Sequence, residues 1–407
     1  MPPTRRLNPQ AVQFTTGGFI FLLVAIAIAW FIPGKPSGQT TPLPPTPTPL
    51  PVIITPSPGS LPSWLTVYFT NPNPPDDIDH GVDQYIIPLI ENATRNVDVV
   101  SLDLNLPSLV DALVRAKERG VEVRVLYDGE NGVQTLEADR SPTGKTYDAV
   151  EILDAAGIPL VNGGRSNGLM HDKFIVIDDQ TLVTGSWNYS YNDTYRNNNN
   201  ILVITDLTLI ANYQAKFNEL FAKKDFNIPS QIGAQVPVLN IVGVNVANYF
   251  APADRVMDKL VALVGSAGSS VYFMAFTYTH PELVKAMVER HNAGVDVQGI
   301  FENRGATQGA IVPLYCAGVP VKVDGNKYTM HHKVIVIDRS IVITGSFNFT
   351  ETADTANDEN LIVIQSPALA QLYLQEYERL QVDARPPNPS DEFLKSAKQE
   401  KWAQYCK

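Results

Sequence analysis

The chain has 407 residues, which is enough for two ordinary domains that each bury a core. Hydrophobic residues make up 44% and charged residues 18%, so a mostly disordered chain is excluded. The net charge of -11 argues against a dedicated nucleic-acid binder. The two cysteines, Cys316 and Cys406, exclude a cysteine zinc site and a multi-disulfide scaffold, and leave a single disulfide open.

Residues 1–32 predict a membrane anchor. The uninterrupted apolar run Phe19–Ile32, extended by the weakly polar residues before it, reaches the ~20 residues that a spanning helix needs. Arg5 and Arg6 precede the run, so we expect the N-terminus in the cytoplasm and the rest of the chain outside. The small residues at Ala27–Ala29 also fit a cleavage site, which leaves a removed signal peptide and a secreted protein as the alternative.

Residues 33–62 predict a linker. They contain eleven prolines among Thr, Ser and Gly, and their one charged residue is Lys35. Such a segment cannot bury a core and favours an extended, semi-rigid stalk.

The remainder contains an internal duplication. Met170–Ile204 aligns without a gap on Met330–Ile364, and fifteen of the thirty-five positions are identical. The first copy carries about thirteen additional residues between Asn131 and Val150. The expected units are residues 63–230 and 236–384, followed by a short tail at 385–407.

Each copy alternates predicted strands and helices. In the first copy they are Val97–Leu104, Leu109–Arg119 and Val121–Tyr127, and in the second Val271–Phe276, Leu283–Asn292 and Val295–Phe301. Gly120 and Gly294 follow the two helices as C-terminal signals. The alternation predicts the α/β class, with helices covering a mostly parallel or mixed sheet. We expect two such α/β sandwich units to pack as a pseudo-dimer with one shared site.

One motif occurs in both copies with every spacing kept. Its residues are His171, Lys173, Asp178, Gly185, Ser186 and Asn188 in the first copy, and His331, Lys333, Asp338, Gly345, Ser346 and Asn348 in the second. The motif predicts a hairpin in which the histidine and lysine share one strand face.

The hairpin register predicts which motif residues meet. A two-residue loop would place Lys173 opposite Ser186 and His171 opposite Asn188, so that polar side chains gather at one end of each hairpin. Asp178 and Asp338 are expected to hold the turns. The middle residues Asp172 and His332 are expected to face outward.

These side chains suit attack on a phosphodiester. The substrate is an anion, so the site needs cations and hydrogen-bond donors for the non-bridging oxygens, which the lysines, asparagines and serines supply. Imidazole can act as the nucleophile or as the acid for the leaving alcohol. This chemistry requires no metal or other cofactor.

The H-x-K-x4-D-x6-G-S-x-N motif, present twice, resembles that of the phospholipase D superfamily. The resemblance covers roughly Leu61 to Ala384. It implies two α/β units with one composite site, in which one histidine is the nucleophile and the other the general acid. Members of the superfamily hydrolyse phospholipids, transfer phosphatidyl groups or cut nucleic acids.

The two copies differ after the second strand of the motif. The second copy has Glu359 there, where family members often have a carboxylate that orients the histidine, and the first copy has Asn199. If each position serves its own copy, Glu359 raises the pKa of His331. This argument assigns His331 as the acid and His171 as the nucleophile, with Asp193 as a carboxylate that would weaken the contrast.

The favoured function is hydrolysis of phospholipid head groups outside the cytoplasmic membrane. The alternatives are an exported nuclease, for which Arg165, Lys327 and Tyr328 lie beside the motifs, a phosphatidyltransferase of the cardiolipin synthase kind, and an inert scaffold. A monomer is expected, because the two copies would complete the site within one chain.

Overall fold

The central strands form where β-branched residues run without interruption. A computed structural model describes residues 60–304, 309–388, 402 and 404–406 of this chain. Buried runs such as Phe174–Ile177 and Lys333–Ile337 have no exposed position, as expected of strands covered on both faces. The described residues therefore build two large sheets, one from each copy of the repeat, and one small two-stranded sheet.

The first half contains nine strands and five helices within the described residues. They are β1 (Leu65–Phe69), α1 (Asp83–Glu91), β2 (Asn96–Ser101), α2 (Pro107–Glu118), β3 (Glu122–Tyr127), β4 (Thr135–Leu136), β5 (Tyr147–Asp148), α3 (Ala149–Ala155), β6 (Leu160–Asn162), β7 (Phe174–Ile177), β8 (Thr181–Gly185), α4 (Tyr191–Tyr195), β9 (Asn200–Ile204) and α5 (Leu207–Ala222).

The second half repeats this order. Its elements are β10 (Val238–Ile241), β11 (Val244–Ala251), α6 (Val256–Gly265), β12 (Ser270–Ala275), α7 (Pro281–Asn292), β13 (Asp296–Phe301), α8 (Ile311–Cys316), β14 (Val321–Val323), β15 (Lys333–Ile337), β16 (Ile341–Gly345), α9 (Glu351–Thr355), β17 (Glu359–Gln365) and α10 (Pro367–Gln381).

The two sheets have the same topology. The first has the order β1-β9-β8-β7-β2-β3-β6, and the second has β11-β17-β16-β15-β12-β13-β14 with β10 added at its edge. Only β2-β3-β6 and β12-β13-β14 pair in parallel, so each sheet is mixed. The predicted duplication of an α/β unit is present. Gly120 and Gly294 follow the C-cap residues of α2 and α7 and have left-handed φ values of +90° and +88°.

The two halves share one core. A continuous cluster of buried apolar side chains joins the inner faces of both sheets to α5 and α10, with Phe174, Leu202 and Phe217 from the first half and Val336 and Tyr373 from the second. Each sheet has one further apolar cluster on its outer face. Because burial of this kind stabilises by roughly 25 cal/mol per Å² of apolar surface, the shared cluster holds the halves together.

The hairpin register differs by one residue from the predicted one. Ile177 pairs with Thr181 and Ile337 with Ile341, so three residues form each loop instead of two. The left-handed φ values of Asp178 and Asp179, +53° and +52°, close the turn, and the Gln180 N–H donates to the Ile177 carbonyl at 3.0 Å. A two-residue loop was the wrong assumption.

The motif aspartates hold these turns in place. The Asp178 carboxylate accepts hydrogen bonds from the backbone N–H groups of Thr94, Arg95 and Asn96, at the start of β2. Asp338 accepts the same set of bonds from residues 268–270 at the start of β12. These bonds lower the pKa of both carboxyl groups against the opposing effect of burial. The contacts fit the structural role expected for both residues.

The additional residues of the first half form the β4–β5 hairpin between β3 and α3. In the second half, Cys316 at the end of α8 is joined to Cys406 by a disulfide. The disulfide and the fully buried Trp402 attach the end of the chain to the second half.

The prediction of a fold that includes a membrane-spanning helix is corrected. Among the described residues, no helix is long and apolar enough to cross a bilayer. The longest, α5, has 16 residues, or about 24 Å at ~1.5 Å per residue, against a hydrocarbon core of ~30 Å. The predicted anchor, residues 1–32, and nearly all of the stalk, residues 33–62, lie outside the described residues.

Candidate active site

His171 is held by residues of the opposite half. It precedes β7, and its backbone N–H donates to the Asp358 carbonyl at 2.9 Å. Its Nδ1 donates to Glu359 Oε2 at 2.6 Å, at the start of β17. The Glu359 carboxylate also accepts from Ser346 Oγ at 2.7 Å and from Asn357 Nδ2 at 2.9 Å. Glu359 is thereby fixed with one oxygen on the His171 ring.

His331 has the reciprocal arrangement. Its backbone N–H donates to the Asn198 carbonyl at 2.9 Å, and its Nδ1 donates to Asn199 Oδ1 at 2.9 Å. Asp193 Oδ2 lies 3.4 Å from the same Nδ1. Asn199 also accepts from Ser186 Oγ at 2.8 Å, as Glu359 accepts from Ser346. Each histidine therefore depends on the strand that follows the hairpin of the other half.

The predicted pairing of Glu359 with His331 is wrong. Each position was expected to serve its own copy, whereas the start of β17 lies beside His171 and the start of β9 beside His331. The carboxylate contacts His171 and the amide contacts His331, which reverses the predicted electrostatic contrast between the two histidines.

The two lysines occupy equivalent places beside the histidines. Lys173 Nζ donates to the His171 carbonyl at 2.9 Å, and Lys333 Nζ donates to the His331 carbonyl at 2.9 Å. Both side chains are almost fully buried. Two ammonium groups are thus held in place at the junction of the halves, as an anionic substrate requires.

The motif serines and asparagines surround the same junction. Ser186 and Ser346 donate hydrogen bonds to Asn199 and Glu359, the residues that contact the two histidines. Among the described residues, the buried Oδ1 atoms of Asn188 and Asn348 have no hydrogen-bond partner. Each of these oxygens can only accept a hydrogen bond, so it suits a protonated group of a ligand, and a bond to a phosphate oxygen would have to come from Nδ2 of the same amide.

The motif glycines allow the strands to approach each other closely. A Cβ on Gly185 would lie 2.2 Å from the Asn200 carbonyl oxygen, and a Cβ on Gly345 would lie 2.3 Å from that of Asn360. Their φ values, +144° and +142°, are also unfavourable for other residues. The glycines bring Ser186 and Ser346 against β9 and β17.

Burial dominates the electrostatics of the site. Burial lowers the pKa of His171, although the Glu359 carboxylate opposes the effect. The pKa of His331 falls well below its ordinary value, first through burial and then through the charges of Lys333 and Lys173. Burial also lowers the pKa of Lys173, and more strongly that of Lys333, where Lys173 adds to the effect. Burial therefore opposes the charged form of both histidines.

Asp172 and His332 do not face outward as expected. Both are fully buried between the sheets and the helices α5 and α10. Asn360 Nδ2 donates to Asp172 at 3.0 Å, Asn200 Nδ2 donates to His332 Nδ1 at 3.1 Å, and His332 Nε2 donates to Glu376 at 2.9 Å. Burial raises the pKa of Asp172 to about 7. The sheets and the helices α5 and α10 cover the face on which Asp172 and His332 lie, so neither side chain faces solvent.

Sequence reasoning missed Phe276 as part of the site. Its ring lies 4.7 Å from the His331 ring, edge to face, and Lys333 Nζ lies 4.5 Å from its centroid. Phe276 follows β12, where the first half has Leu102. No sequence motif includes this position. Its place directly after β12 could have indicated it, because functional residues often follow the carboxyl ends of parallel strands.

Comparison with known proteins matches this architecture. A family model described as "Cardiolipin synthase, PLD-like domain" matches residues 86–221 and 260–381, more than half of the chain. A phospholipase D of Rickettsia typhi is 30% identical over 163 residues, which cover 40% of this chain and 80% of that protein. A mitochondrial cardiolipin hydrolase of Xenopus tropicalis is 36% identical over 129 residues, or 31% of this chain. The chain spans 61% of the length of that relative.

A solved structure shares the fold over most of the chain. The crystal structure of the phosphatidylserine synthase of Haemophilus influenzae covers 82% of this chain and 92% of its own, with a TM-score of 0.59 and 15% identity. At this identity the likeness concerns the fold alone. The family model, which matches more than half of the chain, identifies the chain as a member of the phospholipase D-like family, and the two copies of the motif around one junction agree with it.

Proposed function

We propose that the chain is a phosphodiester hydrolase that acts on phospholipids through a phosphohistidine. The observation that carries the proposal is the junction itself: His171 and His331, one from each half, are each oriented through Nδ1 and each accompanied by a lysine. Because Nδ1 of each ring is hydrogen-bonded, Nε2 of each ring is available to attack phosphorus or to transfer a proton. Such a pair provides a nucleophile and a general acid within one anion-binding site.

His171 is the nucleophile in this proposal. Its Nε2 attacks phosphorus, the N–P bond forms, and the bond from phosphorus to the leaving oxygen breaks. The attacked ring gains positive charge, which the Glu359 carboxylate at 2.6 Å stabilises. The same contact keeps the proton on Nδ1, as the carboxylate of a catalytic triad does.

His331 is the general acid. A proton on its Nε2 passes to the leaving alcohol, and in the second step the neutral ring accepts a proton from the water that displaces His171. An uncharged amide, Asn199, holds Nδ1, and burial lowers the pKa of His331, so its imidazolium gives up a proton readily. Lys173 and Lys333, with the amides of Asn188 and Asn348, would hold the non-bridging oxygens without a metal ion.

The relatives and the net charge support a phospholipid as the substrate. Matching proteins are named phospholipase D and cardiolipin hydrolase. The net charge of -11 disfavours a polyanionic nucleic acid. Arg165, a candidate nucleic-acid contact, is buried and forms an ion pair with Asp358 at 2.7 Å. A phospholipid substrate fits these observations better than the nuclease alternative.

A parallel assay tests the substrate class. The purified protein is expected to release head groups from mixed vesicles of phosphatidylcholine, phosphatidylethanolamine and cardiolipin far faster than it cuts single-stranded DNA at equal concentration. The same assay with added primary alcohol separates hydrolysis from phosphatidyl transfer. DNA cleavage at physiological salt without lipid turnover would overturn the lipid assignment.

The matched control is the double variant His171→Ala/His331→Ala, which should be inactive on both substrates.

Activity of the unchanged protein on lipid should survive prolonged dialysis against EDTA, because lysines and amides carry the phosphate charge. Complete loss that added Mg²⁺ or Zn²⁺ restores would contradict a mechanism without metal.

We also propose that the catalytic body works in an oxidising compartment. The disulfide between Cys316 and Cys406 supports this, since such bonds persist outside the reducing cytosol. After alkylation of free thiols in intact native cells, mass spectrometry should find the linked peptides. Alkylation of both cysteines in the folded protein would exclude this location.

A further inference from the structure

Arg165 is buried between the two halves of the chain. It lies six residues before His171, and only 2% of it is exposed. Its Nη1 donates to Asp358 Oδ2 at 2.7 Å, and its Nη2 donates to the carbonyls of Leu169 at 2.9 Å and Ala356 at 2.7 Å. Leu169 belongs to the segment before His171, whereas Ala356 and Asp358 lead into β17 of the other half. Arg165 and its three acceptors are called the first clamp.

Asn326 makes three corresponding contacts before His331. Its Nδ2 donates to Asn198 Oδ1 at 2.7 Å, and it lies within hydrogen-bonding distance of the Arg196 and Thr329 carbonyls, at 3.1 and 3.2 Å. The alignment of the two copies pairs these acceptors with those of Arg165: Asn198 with Asp358, Arg196 with Ala356 and Thr329 with Leu169. Asn326 and its acceptors are called the second clamp.

The first clamp lies beside the bonds that place His171. The Asp358 carbonyl accepts the His171 N–H, and the Asp358 N–H donates to the Leu169 carbonyl, both at 2.9 Å. The next residue along the chain is Glu359, which accepts from His171 Nδ1. A hydrogen bond weakens steeply when its geometry is distorted. A shift of Asp358 relative to Leu169 would therefore disturb the bond between Glu359 and the His171 ring.

The second clamp has the same relation to His331. The Asn198 carbonyl accepts the His331 N–H, and the Asn198 N–H donates to the Thr329 carbonyl, both at 2.9 Å. Asn199, the next residue, accepts from His331 Nδ1. The two clamps are equivalent in position and differ in charge, because the first contains an ion pair and the second a pair of neutral amides.

The two halves approach each other closely at the first clamp. A Cβ on Gly168 would lie 2.2 Å from the Ala356 carbonyl oxygen and 3.1 Å from Arg165 Nε, so a larger residue would force the backbone to shift. The side chains of Arg165 and Asp358 are 1% and 0% exposed. Charge-assisted hydrogen bonds are about twice as strong as neutral ones. The first clamp should therefore hold its histidine more firmly than the second.

We propose that Arg165 is a positioning residue for His171. Asn326 is its counterpart for His331, and each fixes the ring against the strand that returns from the other half. The effect on catalysis rests on the proposed function, in which His171 is the nucleophile and His331 the acid. The contacts themselves are independent of the reaction.

Amide hydrogen exchange of the whole protein tests the proposal without an activity assay. Arg165→Met keeps an apolar chain and removes every donor. Exchange of the His171 and Asp358 N–H groups is expected to become at least about tenfold faster, the effect of losing one hydrogen bond to a charged group. The N–H groups of His331 and Asn198 should keep their rates. A fold that is merely destabilised would speed up all four amides alike, and that result would overturn the proposal.

Two further variants separate position from charge. In Arg165→Met, Lys216 Nζ remains as a second cation, 3.5 Å from Asp358 Oδ1. Arg165→Lys keeps the charge without the planar fork and should restore part of the protection at His171. Gly168→Ala keeps both charges and pushes the segments apart, so it should repeat the selective loss at His171 even if Arg165→Met does not fold. Unchanged exchange at His171 in Gly168→Ala would contradict the assignment.

Asn326→Asp is the matched variant of the second half. It keeps the Oδ1 acceptor for the Tyr328 N–H and removes every donor. Exchange of the His331 and Asn198 N–H groups should become faster, with that of the His171 N–H unchanged. Faster exchange at His171 in this variant would show that the clamps do not act separately.

Burst kinetics with a p-nitrophenyl phosphodiester give the catalytic readout. Arg165→Met should slow the burst by up to about 100-fold, the cost of a small misplacement, with little change in KM. Asn326→Asp should keep the burst and slow the turnover that follows it. Equal slowing of both phases in both variants would overturn the division of roles. Absence of a burst in the unchanged protein would refute the proposed function, whereas amide exchange would still decide the role of the clamps.

Discussion

His331→Ala is expected to keep a burst of p-nitrophenol from a p-nitrophenyl phosphodiester and to accumulate phosphate on His171. The p-nitrophenolate leaves with little protonation, so loss of the acid spares the first step, whereas hydrolysis of the intermediate loses its base. Turnover of a lipid with an alkyl alcohol leaving group should fall by about 10²–10⁴, the usual contribution of general acid–base catalysis. Rapid-quench kinetics and mass spectrometry of the adduct provide the measurement.

His171→Ala is the matched variant and should show no burst with either substrate, because no nucleophile remains. The two histidines are almost equally buried and equally bonded to the backbone, so a difference between the variants reports on chemistry and not on folding. A covalent adduct on His331 in the unchanged protein would reverse the assignment.

Glu359→Gln should reduce kcat by roughly 10²–10⁴, in line with the loss of an orienting carboxylate in a catalytic triad. The amide keeps the shape of the side chain and removes the charge that stabilises the phosphorylated ring. Since Glu359 raises the pKa of His171 against burial, its removal lowers that pKa further. His171 then stays neutral to lower pH, and the acid limb of the kcat/KM profile should move to lower pH.

Asn199→Asp is the counterpart in the other half and should affect the opposite limb. A carboxylate beside His331 raises the pKa of that ring, so the acid stays protonated to higher pH and the basic limb moves upward. If Glu359→Gln moved the basic limb instead, Glu359 would act on the acid, and the role of His171 as nucleophile would be wrong.

Local patterns predicted most of the elements that carry the site. The strand and helix order, the turn residues Asp178 and Asp338, and the additional residues between Asn131 and Val150 all follow from short-range signals. The register was missed because the loop length depends on two consecutive left-handed residues, Asp178 and Asp179. Neither is a glycine, the residue that usually indicates a left-handed conformation in a sequence. The buried positions of Asp172 and His332 were missed because the opposite half and two helices cover that face.

The sequence by itself determined which residues the proposed chemistry would use: two copies of one motif contain the histidines, lysines and amides, and their spacing is local information. Only the tertiary structure decided which partner serves which histidine. Glu359 contacts His171 and Asn199 contacts His331, although each lies in the other copy of the repeat. The physical reason is that a shared core packs the start of each returning strand against the neighbouring half, and a contact between residues 188 positions apart leaves no pattern in a single sequence.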